Sequence, residues 1–236
     1  MILKEGEIYF NYNSSLNLNL FLEKYPSIPI SNEDYEEVPV EGRNGTLFIN
    51  KGTYPNVVVP FVFALRSEDF EIDFDKVYEW LLDIEDNRFI FGRVDRCYLV
   101  KKVIFGDLQK EFRSIGEFNV DFVFEPFKAD LEETLYTITS NNFSFEYFGN
   151  APAESLIKIY GNGNIQITIN GETMQISNVV NYVEIDSNLL QVRNLDSTSK
   201  DDDTLGNFNM FEKGTNTISY TGSVTKIMVE YTTKYR

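Results

Sequence analysis

The chain has 236 residues, no histidine, one cysteine and a formal net charge of −16. Without histidine it lacks the commonest general base, nucleophile-activating partner and transition-metal ligand, and Cys97 alone excludes an intrachain disulfide framework or a cysteine-rich zinc site. The acidity also argues against phosphate-directed nucleic-acid binding, which needs clustered Lys and Arg. Residues 1–128 carry 14 basic and 23 acidic side chains and residues 129–236 carry 7 and 14, so neither half is a basic arm or an acidic tail.

The length suits two domains, and 20 Phe, 14 Tyr and one Trp favour strands, where aromatic and branched side chains pack well. The N-terminal "MILKEGEIYFNYNSSLNL" is not read as a signal peptide, because Lys4, Glu5 and Glu7 interrupt it. The longest apolar run, Val57 to Leu65, holds Pro60 and is far shorter than the ~20 residues of a membrane span; a soluble product is expected.

In chain order, Glu36 to Val40 alternates and leads into "GRNG", Gly42 to Gly45. Asn44-Gly45 is expected to supply the two positive-φ residues of a tight reversal between antiparallel strands. "TYPNVVVPFVFAL" reads as a buried strand bent at Pro60. "DFDKVYEWLLDI" reads as a helix: Phe74, Val77, Tyr78, Leu81 and Leu82 form one apolar stripe, Asp73 or Asp75 caps its start, and Trp80 at the stripe's edge reads as core. "RFIF", "CYLVKKVIF" and "GEFNVDFVFEPF" return to strand character, the last with Phe118, Val120, Phe122 and Phe124 on one face. The first domain is expected to close near Pro126 or Phe127, and residues 128–150 read as a connecting strand pair. The second unit is a series of short strands in which "IQITINGETMQI" is a hairpin turning at Asn170-Gly171; "NYVEIDS", "NTISYTG" and "KIMVEYTTKY" complete a compact antiparallel sandwich.

Chemistry-bearing motifs are few. "YGNGN", Tyr160 to Asn164, leads into a strand rather than a helix, so it reads as a β-turn and not a phosphate loop. "SKDDDT", Ser199 to Thr204, lacks the Gly and terminal Glu of an EF-hand and reads as a solvated loop. Glu36/Glu37 and Glu132/Glu133 are adjacent, and neighbours on a strand point to opposite faces, so neither pair flanks one bond as a glycosidase dyad must. No G-x-S-x-G is present. No catalytic, cofactor-binding or metal-ligating residue is assigned. Arg43, between Gly42 and Asn44, reads either as a surface turn residue or as an inter-subunit contact through its guanidinium fork.

Taken in order, "YEEVPVEGRNGTLFINKGTYPNVVVPFVF", the helix ending "WLL", "GEFNVDFVFEPFK", "AESLIKIYGNGNIQITINGETMQI", "YVEIDS" and "GTNTISYTGSVTKIMVEY" resemble the distal tail (Dit) proteins of long, non-contractile-tailed bacteriophages of Gram-positive bacteria. The resemblance implies a mainly β protein: a β-barrel-like, ring-forming N-terminal domain with one helix at 1–128, and a galectin-like β-sandwich at 129–236. It implies a structural, non-enzymatic hub of the virion's tail tip, assembled in the host cytoplasm as a homohexameric ring without cofactors or membrane contact. Its partners would be the tail-tube protein, the tail-associated fibre or lysin protein and a receptor-binding protein, with DNA passing through an acidic lumen without specific binding. Arg43 and Asn44 are then candidate subunit-interface residues. Galectin-type sugar sites depend on histidine and a stacking tryptophan, and this C-terminal half has neither, so a shared shape would not carry sugar binding with it. A carbohydrate-binding adhesion module and a tail-tube subunit remain open as alternatives.

Overall fold

The computed structural model describes residues 2–112 and 114–236. Among the described residues the chain is mainly β, with several antiparallel sheets and one α-helix, and it divides into two compact units, residues 1–129 with 236, and 130–235.

The first unit contains β1 (Ile8–Phe10), β2 (Asn13–Ser14), β3 (Leu20–Lys24), β4 (Tyr35–Pro39), β5 (Thr46–Asn50), β6 (Val57–Arg66), α1 (Phe70–Leu82), β7 (Arg88–Phe91), β8 (Arg96–Phe112) and β9 (Ile115–Phe124); β10 (Lys128–Asp130) follows. Seven of these strands hydrogen-bond in the order β2-β1-β7-β8-β9-β6-β3. Laid flat, they would separate the end strands by ~29 Å. Yet Ser14, which ends β2, and Leu20, which starts β3, are joined by one 3-10 turn, Ser15–Leu18, a connection that reaches ~20 Å even fully extended. The sheet must therefore curl until its edges approach, a barrel-like form. Register shifts in β8 against β9, between Val100 and Lys102, Phe105 and Leu108, and Lys110 and Phe112, supply local coiling.

Alternation decides what the curled sheet encloses. Phe118, Val120, Phe122 and Phe124 of β9 are buried on one face, as the sequence pattern predicts; β6, read as a buried strand, buries Val59, Phe61, Phe63 and Leu65 on one face but leaves Val58 and Pro60 exposed on the other. Phe122 lies within 5.8 Å, centroid to centroid, of Phe10, Phe61, Phe89 and Phe124. Tilted and edge-on pairs dominate this core, the arrangement favoured by ring quadrupoles.

The helix starts earlier than its sequence pattern suggests, with Asp69 at the N-cap, and it buries Phe70, Val77, Trp80 and Leu81 while Tyr78 and Leu82 remain exposed. Asp73 is no cap; it sits in the first turn and accepts bonds from the Ser67 hydroxyl at 2.5 Å and Lys76 Nζ at 2.7 Å. Trp80 is core, with its indole N–H donating to the Phe10 carbonyl at 2.7 Å. The helix C-terminus is held from a distant turn: Asn11 Nδ2 donates to the carbonyls of Trp80 and Asp83 at 3.0 and 2.7 Å, and its Oδ1 accepts from the N–H groups of Glu85 and Asp86. One side chain thus satisfies carbonyls that a helix end leaves without partners.

The second unit contains β11 (Thr134–Ile138), β12 (Phe143–Tyr147), β13 (Ser155–Ile169), β14 (Glu172–Val179), β15 (Tyr182–Asp186), β16 (Gln191–Asn194), β17 (Thr204–Leu205), β18 (Gly214–Tyr231) and β19 (Lys234–Tyr235). Its organising feature is a pair of long strands, β13 and β18, hydrogen-bonded along most of their length. The Ser155–Tyr160 part of β13 and the Lys226–Tyr231 part of β18 carry β11, β15 and β16, and the remaining parts carry β12, β14 and β17. Two layers follow, sharing strands that pass from one to the other. Ile157, Ile159, Ile165, Ile167, Ile218, Ile227 and Val229 of these two strands point into one core with Phe145, Tyr147 and Phe211. The hairpin at Asn170-Gly171 forms as read, both residues at positive φ.

"YGNGN" is not a turn between strands; it is the bulged corner inside β13 where that strand changes layers. A Cβ on Gly161 would lie 2.4 Å from the Ser223 carbonyl oxygen, and one on Gly222, at φ +98°, would lie 2.4 Å from that of Asn164. Glycine is required because the backbones touch where strands switch sheets. Gly161→Ala is expected to lower stability by roughly 2–3 kcal/mol, measured by thermal denaturation. Asn11→Ala should cost about 2 kcal/mol in the first unit, read from the fluorescence of Trp80.

Candidate assembly surface

The two residues singled out from the sequence, Arg43 and Asn44, lie at the tip of the β4–β5 hairpin. This pair forms a two-stranded sheet of its own, in register from Tyr35↔Asn50 to Pro39↔Thr46. The connection is a six-residue loop, 40–45, rather than a two-residue reversal. Positive φ falls on Gly42 (+79°) and Gly45 (+80°), not on Asn44. Arg43 N–H donates to the Val40 carbonyl at 3.2 Å, closing a turn that projects its side chain into solvent.

No residue from 35 to 50 is buried. Period-two alternation puts Tyr35, Glu37 and Pro39 with Thr46, Phe48 and Asn50 on one face, and Glu36 and Val38 with Leu47 and Ile49 on the other. Both faces carry apolar side chains beside a glutamate: Tyr35 meets Phe48 edge-on at 6.4 Å on the first, and Leu47 and Ile49 are 41% and 46% exposed on the second. An isolated two-stranded hairpin is marginal in water, and apolar groups exposed together on a projecting element mark a contact surface.

Its base is braced by Glu33. This carboxylate accepts hydrogen bonds from the Tyr35 hydroxyl at 2.7 Å, Asn50 Nδ2 at 2.8 Å and the Tyr54 hydroxyl at 2.9 Å. Alongside it, Lys51 N–H donates to the Asp34 carbonyl at 3.0 Å and Lys51 Nζ pairs with the Asp34 carboxylate at 3.3 Å. The bond from Tyr35 is the main cause holding the Glu33 carboxyl below its ordinary value, followed by those from Tyr54 and Asn50; the same Tyr35–Glu33 bond pushes the Tyr35 phenol up. Sequence reasoning located the turn but missed this clamp, whose only signal was a carboxylate flanking the strand pair. It also missed the double-sided apolar character, visible in the uncharged run Thr46 to Asn50.

The other motifs supply no competing centre. Glu36 and Glu37 face opposite sides of the hairpin, while Glu132 and Glu133 lie between strands rather than on one. Asp201–Asp203 form a 3-10 turn in which Asp201 accepts from Val192 N–H at 2.7 Å and the Ser199 hydroxyl at 2.8 Å, and Asp203 pairs with Lys200. Those carboxylates act within the fold. Among the described residues no group of three or more His, Cys, Asp or Glu side chains is placed to hold a metal ion.

No protein-family model and no curated protein sequence matches the chain. A solved structure does: the Dit protein (gp 19.1) of SPP1, described as a paradigm of the hub adsorption apparatus in phages that infect Gram-positive bacteria, aligns with a TM-score of 0.70 at 10% sequence identity, covering 98% of this chain and 99% of that one. The chain has the Dit fold. Within this Dit-like chain, a backbone likeness at such low identity carries no side-chain roles, so the hairpin must be judged by its own chemistry.

A carboxylate whose folded value is depressed stabilises the fold above its unfolded value, and that contribution is lost as pH falls through the folded value. The Glu33 brace should therefore be intact from neutral pH down to the ordinary glutamate range and released below it. Glu33→Ala should remove that pH dependence and return the Tyr35 phenol toward its ordinary value, followed by ring-carbon NMR titration.

Proposed function

We propose that this protein is a structural subunit of a phage tail tip, a hub that assembles as a homohexameric ring between the tail tube and the fibre or adhesion apparatus. The observation carrying the reading is the likeness to the SPP1 Dit protein across nearly the whole of both chains. In this reading the first unit forms the ring, with the β4–β5 hairpin and its Arg43-Asn44 tip reaching the next subunit, and the second unit is carried as a sandwich module. A contact between two different patches, repeated by rotation, closes into a ring. The net charge of −16 supports the role of a conduit, since a negative wall repels DNA phosphates and leaves nothing for them to stick to. Neighbouring tail-tube, fibre or lysin and receptor-binding proteins are the partners this reading implies, and the virion is its location. Catalysis has no part in it.

The test is the mass and shape of the purified protein. Light scattering on the size-exclusion peak is expected to give six copies of the 27.3 kDa chain, about 164 kDa, with a central hole in negative-stain images. Open-ended tubes would instead indicate a tail-tube subunit. A single-chain mass with a melting temperature raised by glycans would indicate an adhesion module. Leu47→Glu combined with Ile49→Glu should leave the fold intact and shift the ring to single-chain mass.

A further inference from the structure

Resting on the ring reading, we propose that the receptor for the hairpin arm is the outward face of β6 and β9 on the neighbouring copy, with Arg43 of one chain meeting Glu117 of the next. The inward faces of these strands are spent on the aromatic core, while the outward side of β6 carries an apolar strip that continues to Val123 and Ile104 and is bordered on β9 by Glu117, Asn119 and Asp121. Val58 is 50% exposed, Ile104 on β8 is 41% exposed, Pro60 is exposed, and Val62 and Val123 are half-buried. Cross-strand register groups them in rows, Val58 beside Val123 and Pro60 beside Asp121, with Ile104 next to Asp121 on the other side. Such a strip on one solvent face complements the hairpin face that carries the exposed Leu47 and Ile49 and the half-buried Val38.

Spacing and charge fix the alignment. Leu47 and Ile49 are two residues apart, as are Asp121 and Val123, so Leu47 seated on the Pro60 row places Ile49 on the Val58 row. Glu117 lies four residues from Asp121, ~14 Å along β9, and this alignment directs the turned 40–45 loop that carries Arg43 toward that end of the strand. Among the described residues neither Arg43 nor Glu117 forms an ion pair within its own chain, and Glu117 is half-buried. A half-buried carboxylate and a free guanidinium fork make a complementary pair across an interface. Hairpin and receptor are different patches, so the contact is head-to-tail, as ring closure requires.

A charge-reversal cycle on the full chain tests this. Arg43→Glu and Glu117→Lys alone should each raise the concentration at half-assembly by about tenfold, and the double variant should restore most of the wild-type value. Melting temperature and Trp80 fluorescence confirm that each variant folds. An assembled wild type whose double variant is no better than the worse single overturns the Arg43–Glu117 contact and leaves the hub reading standing. A wild type that stays a single chain at every concentration overturns both. Independently, Arg43→Cys/Glu117→Cys chains oxidised as rings should cross-link into a ladder of multiples of 27.3 kDa, absent from either single variant. Cys97, 1% exposed, stays out of the reaction. Intact rings without a ladder also overturn the contact.

Discussion

A β-strand offers two faces and hydrophobic burial within one layer occupies only one of them. In the first unit, Phe61, Phe63, Phe118, Phe122 and Phe124 take up the inward faces of β6 and β9 and fix the curl of the sheet. In the second, alternating isoleucines of β13 and β18 do the same for two layers at once. The β4–β5 hairpin is where this arrangement stops: it belongs to no larger sheet, buries no residue, and carries apolar side chains on both sides. In the proposed ring this hairpin is the surface that meets the next copy, not part of a core.

That contrast separates the elements that hold the molecule together from those available to others. The aromatic cluster, the Asn11 lock on the helix end and the glycine-lined corner of the sandwich are internally satisfied. Glu33 likewise completes the base of the arm, so the arm is aimed while its faces stay free. A projecting element with a fixed base loses less conformational freedom on docking than a floppy loop, which favours assembly.

Much of the fold was legible beforehand because strand alternation and turn chemistry are local. The buried face of β9, the Asn170-Gly171 hairpin and the existence of the helix follow from spacing alone. The start of the helix was misplaced because the sheet covers Phe70 and Trp80 while Tyr78 and Leu82 stay at the margin, a choice made by docking rather than periodicity. "YGNGN" misled for a related reason: glycine and asparagine also mark a bulge where one strand crosses between layers, and only its pairing with Gly222 and Ser223 tells the two apart.

By itself the sequence determined a mainly β, strongly acidic chain without histidine, and it marked the Arg43 turn, since these depend on residue type and short-range pattern. Only the tertiary structure decided that the hairpin stands apart from the sheets, that Glu33 braces it, and that Glu117 lies half-buried on an outward face. Those facts depend on which distant strands pair and which of their two faces the core consumes, and long-range pairing leaves no trace in the local order of residues.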